Sequence, residues 1–281
     1  MRRVVVVSFA LLIAAAAVAQ TPAPPQASAP STWPTAQFAS AKDPGVQKAY
    51  GVLNGMIRAL GGDAWLNLRD MQTEGRTYSF YHGQPGGTGT EFWLFWEWPD
   101  KERVELTKQR DVVELFIGDK GYEITYKGTA EQEPNALKAY LRRRDHSLNW
   151  VIRKWLPQPG TMILFDGTAL VENNLADQVS VLNAANDSAT ISVDGTTHLP
   201  VKITYSWRDP TDRQFNDDST VFSNYKLVEG IQTPFSVVSY RGSEMTGQRF
   251  MTSFRYNQHL APKLFETTGI TYNPDKQNPR K

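Results

Sequence analysis

The chain has 281 residues, 40% hydrophobic and 21% charged, which is enough for one large globular domain or two small ones and excludes a disordered tail. Lys and Arg number 30 against 29 Asp and Glu, a net charge of +1, so the broad basic field of a nucleic-acid binder is missing. With no cysteine, disulfides, thiolate metal sites, iron–sulfur clusters, cysteine nucleophiles and a lipidated N-terminal cysteine are excluded.

The first residues carry Arg2 and Arg3, an apolar run over 4–16 broken only by Ser8, and the small triplet Ala17-Val18-Ala19 before Gln20. These are the three parts of a secretory signal peptide, so residues 1–19 are expected to direct export and be removed. The run is shorter than the roughly 20 residues that span a bilayer. Residues 20–42 are rich in Pro, Ala, Ser and Thr and read as a flexible or polyproline-like tether. Trp33 and Phe38 are its large apolar groups, either a docking handle or a loose contact with the domain.

Asp43 before Pro44, followed by Val46, Tyr50, Leu53, Ile57 and Leu60, predicts a capped amphipathic helix that Gly61-Gly62 ends. About a dozen strand-like segments follow, at 71–81, 90–98, 103–107, 112–117, 122–126, 162–171, 178–184, 189–193, 199–207, 220–228, 235–241 and 248–256. Short turns such as Gly118-Asp119-Lys120-Gly121 and Asn186-Asp187 point to an antiparallel meander whose spatial order follows the sequence. Between Glu131 and Gln158 the residues Leu137, Leu141, Leu148, Ile152 and Trp155 fall at helical spacing and predict one or two helices.

Alternation along the strands predicts which side chains share a face. Phe92, Leu94, Trp96 and Trp98 oppose Trp93, Phe95 and Glu97, so this strand is expected to be covered on both sides. Other strands are one-sided, with Tyr122, Ile124 and Tyr126 on one face, then Leu199, Val201, Ile203, Tyr205 and Trp207, then Phe250, Thr252, Phe254 and Tyr256. A single sheet of about twelve strands curls under its own twist into a barrel or half-barrel with the dry face inside. That interior is either filled by side chains and a helix or left as an apolar pocket. The helical insert sets its apolar stripe beside Arg142, Arg143, Arg144, Arg153 and Lys154. It reads either as a lid that touches anionic headgroups or as a core-packed helix with a solvated basic face.

Signals of catalysis are weak. His82, His146, His198 and His259 form no metal-ligand pair, and no nucleophile elbow, P-loop or dinucleotide fingerprint is present. The cluster Gly86-Gly87-Thr88-Gly89 reads as a hairpin loop. Asp209, Asp212, Asp217 and Asp218 could gather around calcium but lack EF-hand spacing and compete with Arg208 and Arg213, which favours a solvated loop.

The exported start, the helix ending in Leu60-Gly61-Gly62, the interrupted meander and the run 224–244, with Tyr225, Glu229-Gly230 and Pro234-Phe235 across two hairpinned strands, together resemble the LolA/LolB-like superfamily of outer-membrane lipoprotein carriers. Its outer membrane lipoprotein-sorting members are the most similar. The chain is longer than a typical carrier, and no single arginine here matches the carriers' functional arginine. The resemblance implies an unclosed antiparallel barrel wrapped over helices, with an apolar concavity that shields acyl chains.

The expected fold is therefore mainly β (α+β), a curled antiparallel half-barrel over residues 43–268 with an N-terminal helix, a central helical insert and a tail at 269–281. The expected function is noncatalytic binding of lipid, acyl chains or a lipid-modified partner, with no cofactor, metal or nucleic acid and with peripheral membrane contact. The expected location is the periplasm of a Gram-negative-type bacterium. The alternative is a structural or interaction module with a filled interior. Candidate lining residues are Phe92, Leu94, Trp96, Trp98, Tyr122, Ile124, Leu199, Val201, Ile203, Tyr205, Trp207, Phe250 and Phe254, and candidate lid residues are Leu137, Leu141, Leu148, Ile152 and Trp155.

Overall fold

The computed structural model describes residues 34–267 apart from 210 and 212. The expected signal peptide, the tether up to Trp33, Asp212 and the tail at 269–281 lie outside these residues. From Pro34 on, the expected tether packs against the domain. Thr35 is fully buried and donates to Asn54 Oδ1 at 2.6 Å, Gln37 Nε2 donates to the Leu156 carbonyl, and Phe38 packs against the main core.

Helix α1 (Pro44–Leu60) starts where Asp43 Oδ1 accepts from the Gly45 and Val46 amides at 2.7 and 3.2 Å, with Pro44 in the first position. It buries Leu53, Met56, Ile57 and Leu60, each contributing about 1.5–3 kcal/mol by leaving water. A short helix α2 (Asp63–Leu66) follows and buries Trp65 and Leu66.

The strands are β1 (Asp70–Tyr81), β2 (Gln84–Pro85), β3 (Thr90–Glu97), β4 (Lys101–Leu106), β5 (Val112–Ile117), β6 (Lys120–Thr125) and β7 (Gly128–Glu131). After helix α3 (Pro134–Asp145) and helix α4 (Leu148–Trp150), which continues as a π-helical turn Val151–Trp155, come β8 (Met162–Val171), β9 (Asn174–Leu182) and β10 (Ser188–Asp194). The last four are β11 (Pro200–Arg208), β12 (Phe215–Val228), β13 (Ile231–Arg241) and β14 (Glu244–Tyr256). All twelve expected segments are strands; β2 and β7 are additions.

Every pairing is antiparallel, in the order β7-β6-β5-β4-β3-β1-β14-β13-β12-β11-β10-β9-β8, with β2 against β1. The expected sequence-ordered meander therefore holds within each half but not between them. The chain steps outward from β1 to the edge strand β7, crosses through α3 and α4 to the opposite edge β8, and steps back until β14 meets β1. This seam joins residues about 180 apart, as in the Thr73 hydroxyl donating to the Ser253 carbonyl at 2.7 Å. The edges β7 and β8 do not pair, so the barrel stays unclosed.

Helix α1 lies on the inner face against β8, β9 and β13. With Val151, Ile152, Trp155 and Leu156 it fills the space lined by Val179, Val181, Ile191 and Ile203, which forms the main core. A second cluster lies on the other side of the sheet, where Phe95, Val113, Leu115 and Ile124 are covered by Leu260, Leu264 and Phe265 of the C-terminal 3-10 turn Pro262–Phe265. This explains the aromatics on both faces of β3. No helix among the described residues is long and apolar enough to cross a membrane.

Candidate functional site

Helix α1 and the π-helical turn fill the concavity chiefly against β8 and β9, and α3 covers its β5–β6 end. Elsewhere, between β1, β3 and β11–β14, a cavity of about 660 Å³ remains, within the roughly 300–1,000 Å³ of clefts that hold small ligands. The interior is thus only partly filled, which does not match a fully packed core.

The strand register arranges the cavity wall in rows. Met71 stands between Trp96 and Tyr256, and Thr73 between Leu94 and Phe254. Gly75 stands between Phe92 and Met251, Thr77 between Thr90 and Arg249, and Ser79 opposite Gly247. Apolar rows at the Met71 end give way to polar rows at the Ser79 end. The C-terminal end of the first helical pair, through Leu60 and Trp65, adds to the apolar end. Asp218, Ser239 and Arg241 line the same cavity, and Asp218 pairs directly with Arg241 across β12 and β13.

Gly75 is what brings β1 and β14 together at the change of character. A Cβ built on it would lie 2.0 Å from the Phe250 carbonyl oxygen and 2.9 Å from Met251 Cα. The register shifts between Glu74 and Gly75 because β14 carries one extra residue there, a β-bulge that reverses the alternation of side chains. Phe254 and Tyr256 therefore face inward on one side of the bulge, whereas Arg249 and Met251 do so on the other.

Charged groups gather near this polar end. Arg249 has no carboxylate within 4.0 Å among the described residues, and its guanidinium sits 5.7 Å from the centre of the Phe92 ring. Burial holds its pKa below the usual arginine range, opposed by Glu102. Glu102 projects from β4 on the inner face beside Trp96 and Phe116. Burial pushes its carboxyl above the ordinary value, and Arg249 and Arg143 pull it back. Arg143, exposed on α3, also lines the cavity. Tyr205, whose hydroxyl is 3.4 Å from Asp218, is pushed up to about 12 by burial and then by that carboxylate.

The helical insert spans the open side and is fastened to both halves. Glu133 caps α3 through the Ala136 amide at 2.8 Å, and Tyr140 stacks on Phe116 with ring centres 3.5 Å apart. Arg144 donates to the Gly118 carbonyl at 2.6 Å and to Asp119 at 3.1 Å, in the turn between β5 and β6. His146 reaches Asp187 at 2.9 Å, in the turn between β9 and β10, and stacks on Tyr205 at 4.1 Å. Arg153 donates to the Leu68 carbonyl at 2.8 Å and lies 3.7 Å over Trp98; burial pushes its pKa down to about 10. Arg142 lies 3.4 Å over Trp207. The insert's cations thus turn onto rings, carbonyls and carboxylates, and neither a solvated basic face nor a headgroup-facing one describes them, Arg143 excepted.

The expected lining set divides. Phe92, Leu94, Trp96, Ile203, Tyr205 and Phe254 line the cavity. Trp98 lies under the insert beside Trp150, and Tyr122 and Ile124 belong to the cluster on the opposite face. Leu199 and Trp207 pack at the margin of the main core and Val201 is buried outside the cavity. Phe250 points away and is 42% exposed. Of the expected lid, Leu148 lines the cavity, Leu137 lies over Gly121 of β6 and Leu141 is half-buried. Ile152 and Trp155 are core residues, a fixed base for the insert. Arg249, Glu102 and Tyr140 were not singled out from sequence, although the Arg249 position is legible once the bulge is known. Asp217 and Asp218 belong to β12 and bond Ser206 and Arg241, and no cluster suited to a metal ion occurs among the described residues.

No protein-family model matches the sequence, and no curated protein matches it. Solved structures do. A DUF1329 family protein from Desulfovibrio piger is 14% identical over 78% of this chain and 97% of its own, with a TM-score of 0.54. A LolA superfamily protein from Nitrosomonas europaea is 10% identical over 78% and 97%, with a TM-score of 0.50. An outer membrane lipoprotein-sorting protein domain from Vibrio parahaemolyticus is 8% identical over 78% and 96%, also at 0.50. The chain has the LolA-like fold.

Proposed function

We propose that this chain is a noncatalytic envelope protein that takes the acyl portion of a lipid, or of a lipid-modified partner, into its half-barrel. The observation that carries this reading is the cavity of about 660 Å³ left between the curled sheet and the helices, with Phe92, Leu94, Trp96 and Phe254 on its wall. An open concavity of this size with an aromatic wall falls within the range of clefts that hold small ligands, which supports a binding role. The likeness to LolA superfamily and lipoprotein-sorting structures supports a role in lipid or lipoprotein handling. The signal-peptide pattern of residues 1–19 supports export to the periplasm, with any membrane contact peripheral.

The test is mass spectrometry of an organic extract from natively purified protein. Acyl-bearing molecules in stoichiometric amount are expected. Their repeated absence, together with failure of the purified protein to take up a neutral acyl probe, refutes the reading.

A further inference from the structure

Resting on the acyl-binding reading, we infer that the occupant is an anionic amphiphile whose carboxylate or phosphate head sits on Arg249 and Arg143 while its chain runs along β1 toward Trp96. Three observations converge on this polarity.

The first is the order of the rows. From Met71 to Phe92 and Met251 the wall is mainly apolar, with Thr73 and Thr233 set among its rings, and from Thr77 and Arg249 onward it is mainly polar. At about 3.3 Å per strand residue, the path from Met71 to Thr77 is about 20 Å long. A ligand lying along it meets grease at one end and hydroxyl and guanidinium groups at the other.

The second is the state of the cations. Arg249 projects inward from β14 with no carboxylate within 4.0 Å among the described residues. Arg241, on the same wall, is satisfied by Asp218 at 3.0 Å, and Arg144 by Asp145 at 2.8 Å and Asp119 at 3.1 Å. Arg143, exposed above the same cavity, is likewise outside ion-pair distance of any described carboxylate. Two guanidinium groups that face one cavity and contact aromatic rings, with no carboxylate at ion-pair distance, can take an oxyanion between them.

The third is the bulge. Without the extra residue in β14, continued alternation from Phe254 would put Phe250 inward and Arg249 outward; the shift at Glu74/Gly75 turns Arg249 in. Bulges of this kind re-aim a side chain at a site. Glu102 on β4 and Glu114 on β5 are the acidic groups facing these arginines, both held back by more than ion-pair distance.

The experiment uses the mature protein and displacement of a neutral fluorescent probe, N-phenyl-1-naphthylamine, by four competitors: dodecanoate, dodecyl phosphate, dodecanol and dodecyltrimethylammonium. The anionic pair is expected to compete about tenfold or more better than the alcohol, with the cation the weakest; whichever anion wins names the head. Arg249→Met, close in volume, is expected to remove that advantage and leave the alcohol's competition within about twofold, which also shows that the variant is folded. Arg143→Ala, at an exposed position, is expected to lower anion affinity in the same direction by a smaller factor. If the wild type binds dodecanol as well as dodecanoate, or if Arg249→Met weakens both alike, the inference is overturned and acyl binding stands. If no competitor displaces the probe, or the probe does not bind, acyl binding itself fails.

Discussion

Replacing Gly75 by alanine tests the seam on which the curved wall depends. The added methyl would lie 2.0 Å from the Phe250 carbonyl oxygen, where ordinary contact begins at 3.4 Å, so β1 and β14 would have to part by more than 1 Å. The obstacle is backbone and cannot rotate away. Gly75 is paired on both sides, with Met251 and with Phe92, so movement disturbs two ladders. Loss of two or three ladder hydrogen bonds at about 1 kcal/mol each, plus loosened packing around Phe92, gives about 2–4 kcal/mol of destabilisation. Equilibrium unfolding in urea reads this as a lower midpoint at unchanged slope. The control is Gly51→Ala on the exposed face of α1, where a Cβ meets nothing within 4 Å; it is expected to stabilise by about 0.5–1 kcal/mol. A Gly75→Ala protein within about 0.5 kcal/mol of wild type would refute the argument that close approach at the bulge holds the halves together.

Leu94→Trp places a bulky ring at the wall of the hollow and is expected to cost about 1–3 kcal/mol of stability while cutting affinity for a neutral acyl probe about tenfold; unchanged affinity in the folded variant would place binding elsewhere. His146→Ala removes the bond to Asp187 and the stack on Tyr205, and thermal melting should report a loss of about 2–4 kcal/mol, with a loss below about 0.5 kcal/mol arguing against a fastening role. Glu102 has a folded pKa raised above 4.5 by burial, so the native state binds more protons than the unfolded state, and this group makes stability fall as pH rises from about 4.5 through the folded value. Glu102→Gln should flatten that decline and raise stability at neutral pH; an unaltered pH profile would show that the carboxyl is not buried as described.

Periodicity in the sequence was sufficient to locate the helix, the insert and twelve of the strands, because each is long enough to show its alternation. β2 and β7 escaped notice for want of it, since Gln84–Pro85 is two residues and Gly128–Glu131 has a single small apolar group. Alternation identifies which side chains are dry but not the side of the sheet on which they lie. Tyr122 and Ile124 are dry because the turn Pro262–Phe265 covers the outer face there, a contact between segments far apart in the chain. Phe250 and Phe254 share a parity in sequence and opposite faces in the fold, because the bulge stands between them. The same inversion hid Arg249. The cations of the insert were visible as a run, whereas their turning onto Trp207, Trp98 and Asp119 depends on tertiary contacts.

The pairing of β1 with β14 also dictates the order of assembly. All other neighbours in the sheet are close in sequence and can zip as hairpins or short meanders, but this one must wait until residue 256 is available, and such long loop closures are slow. A chain emerging from its N-terminus would hold β1 with one flank open for most of its emergence, and an open strand flank recruits other chains. Truncation shortly before β14 would leave two separate fans of strands with no common trough between them.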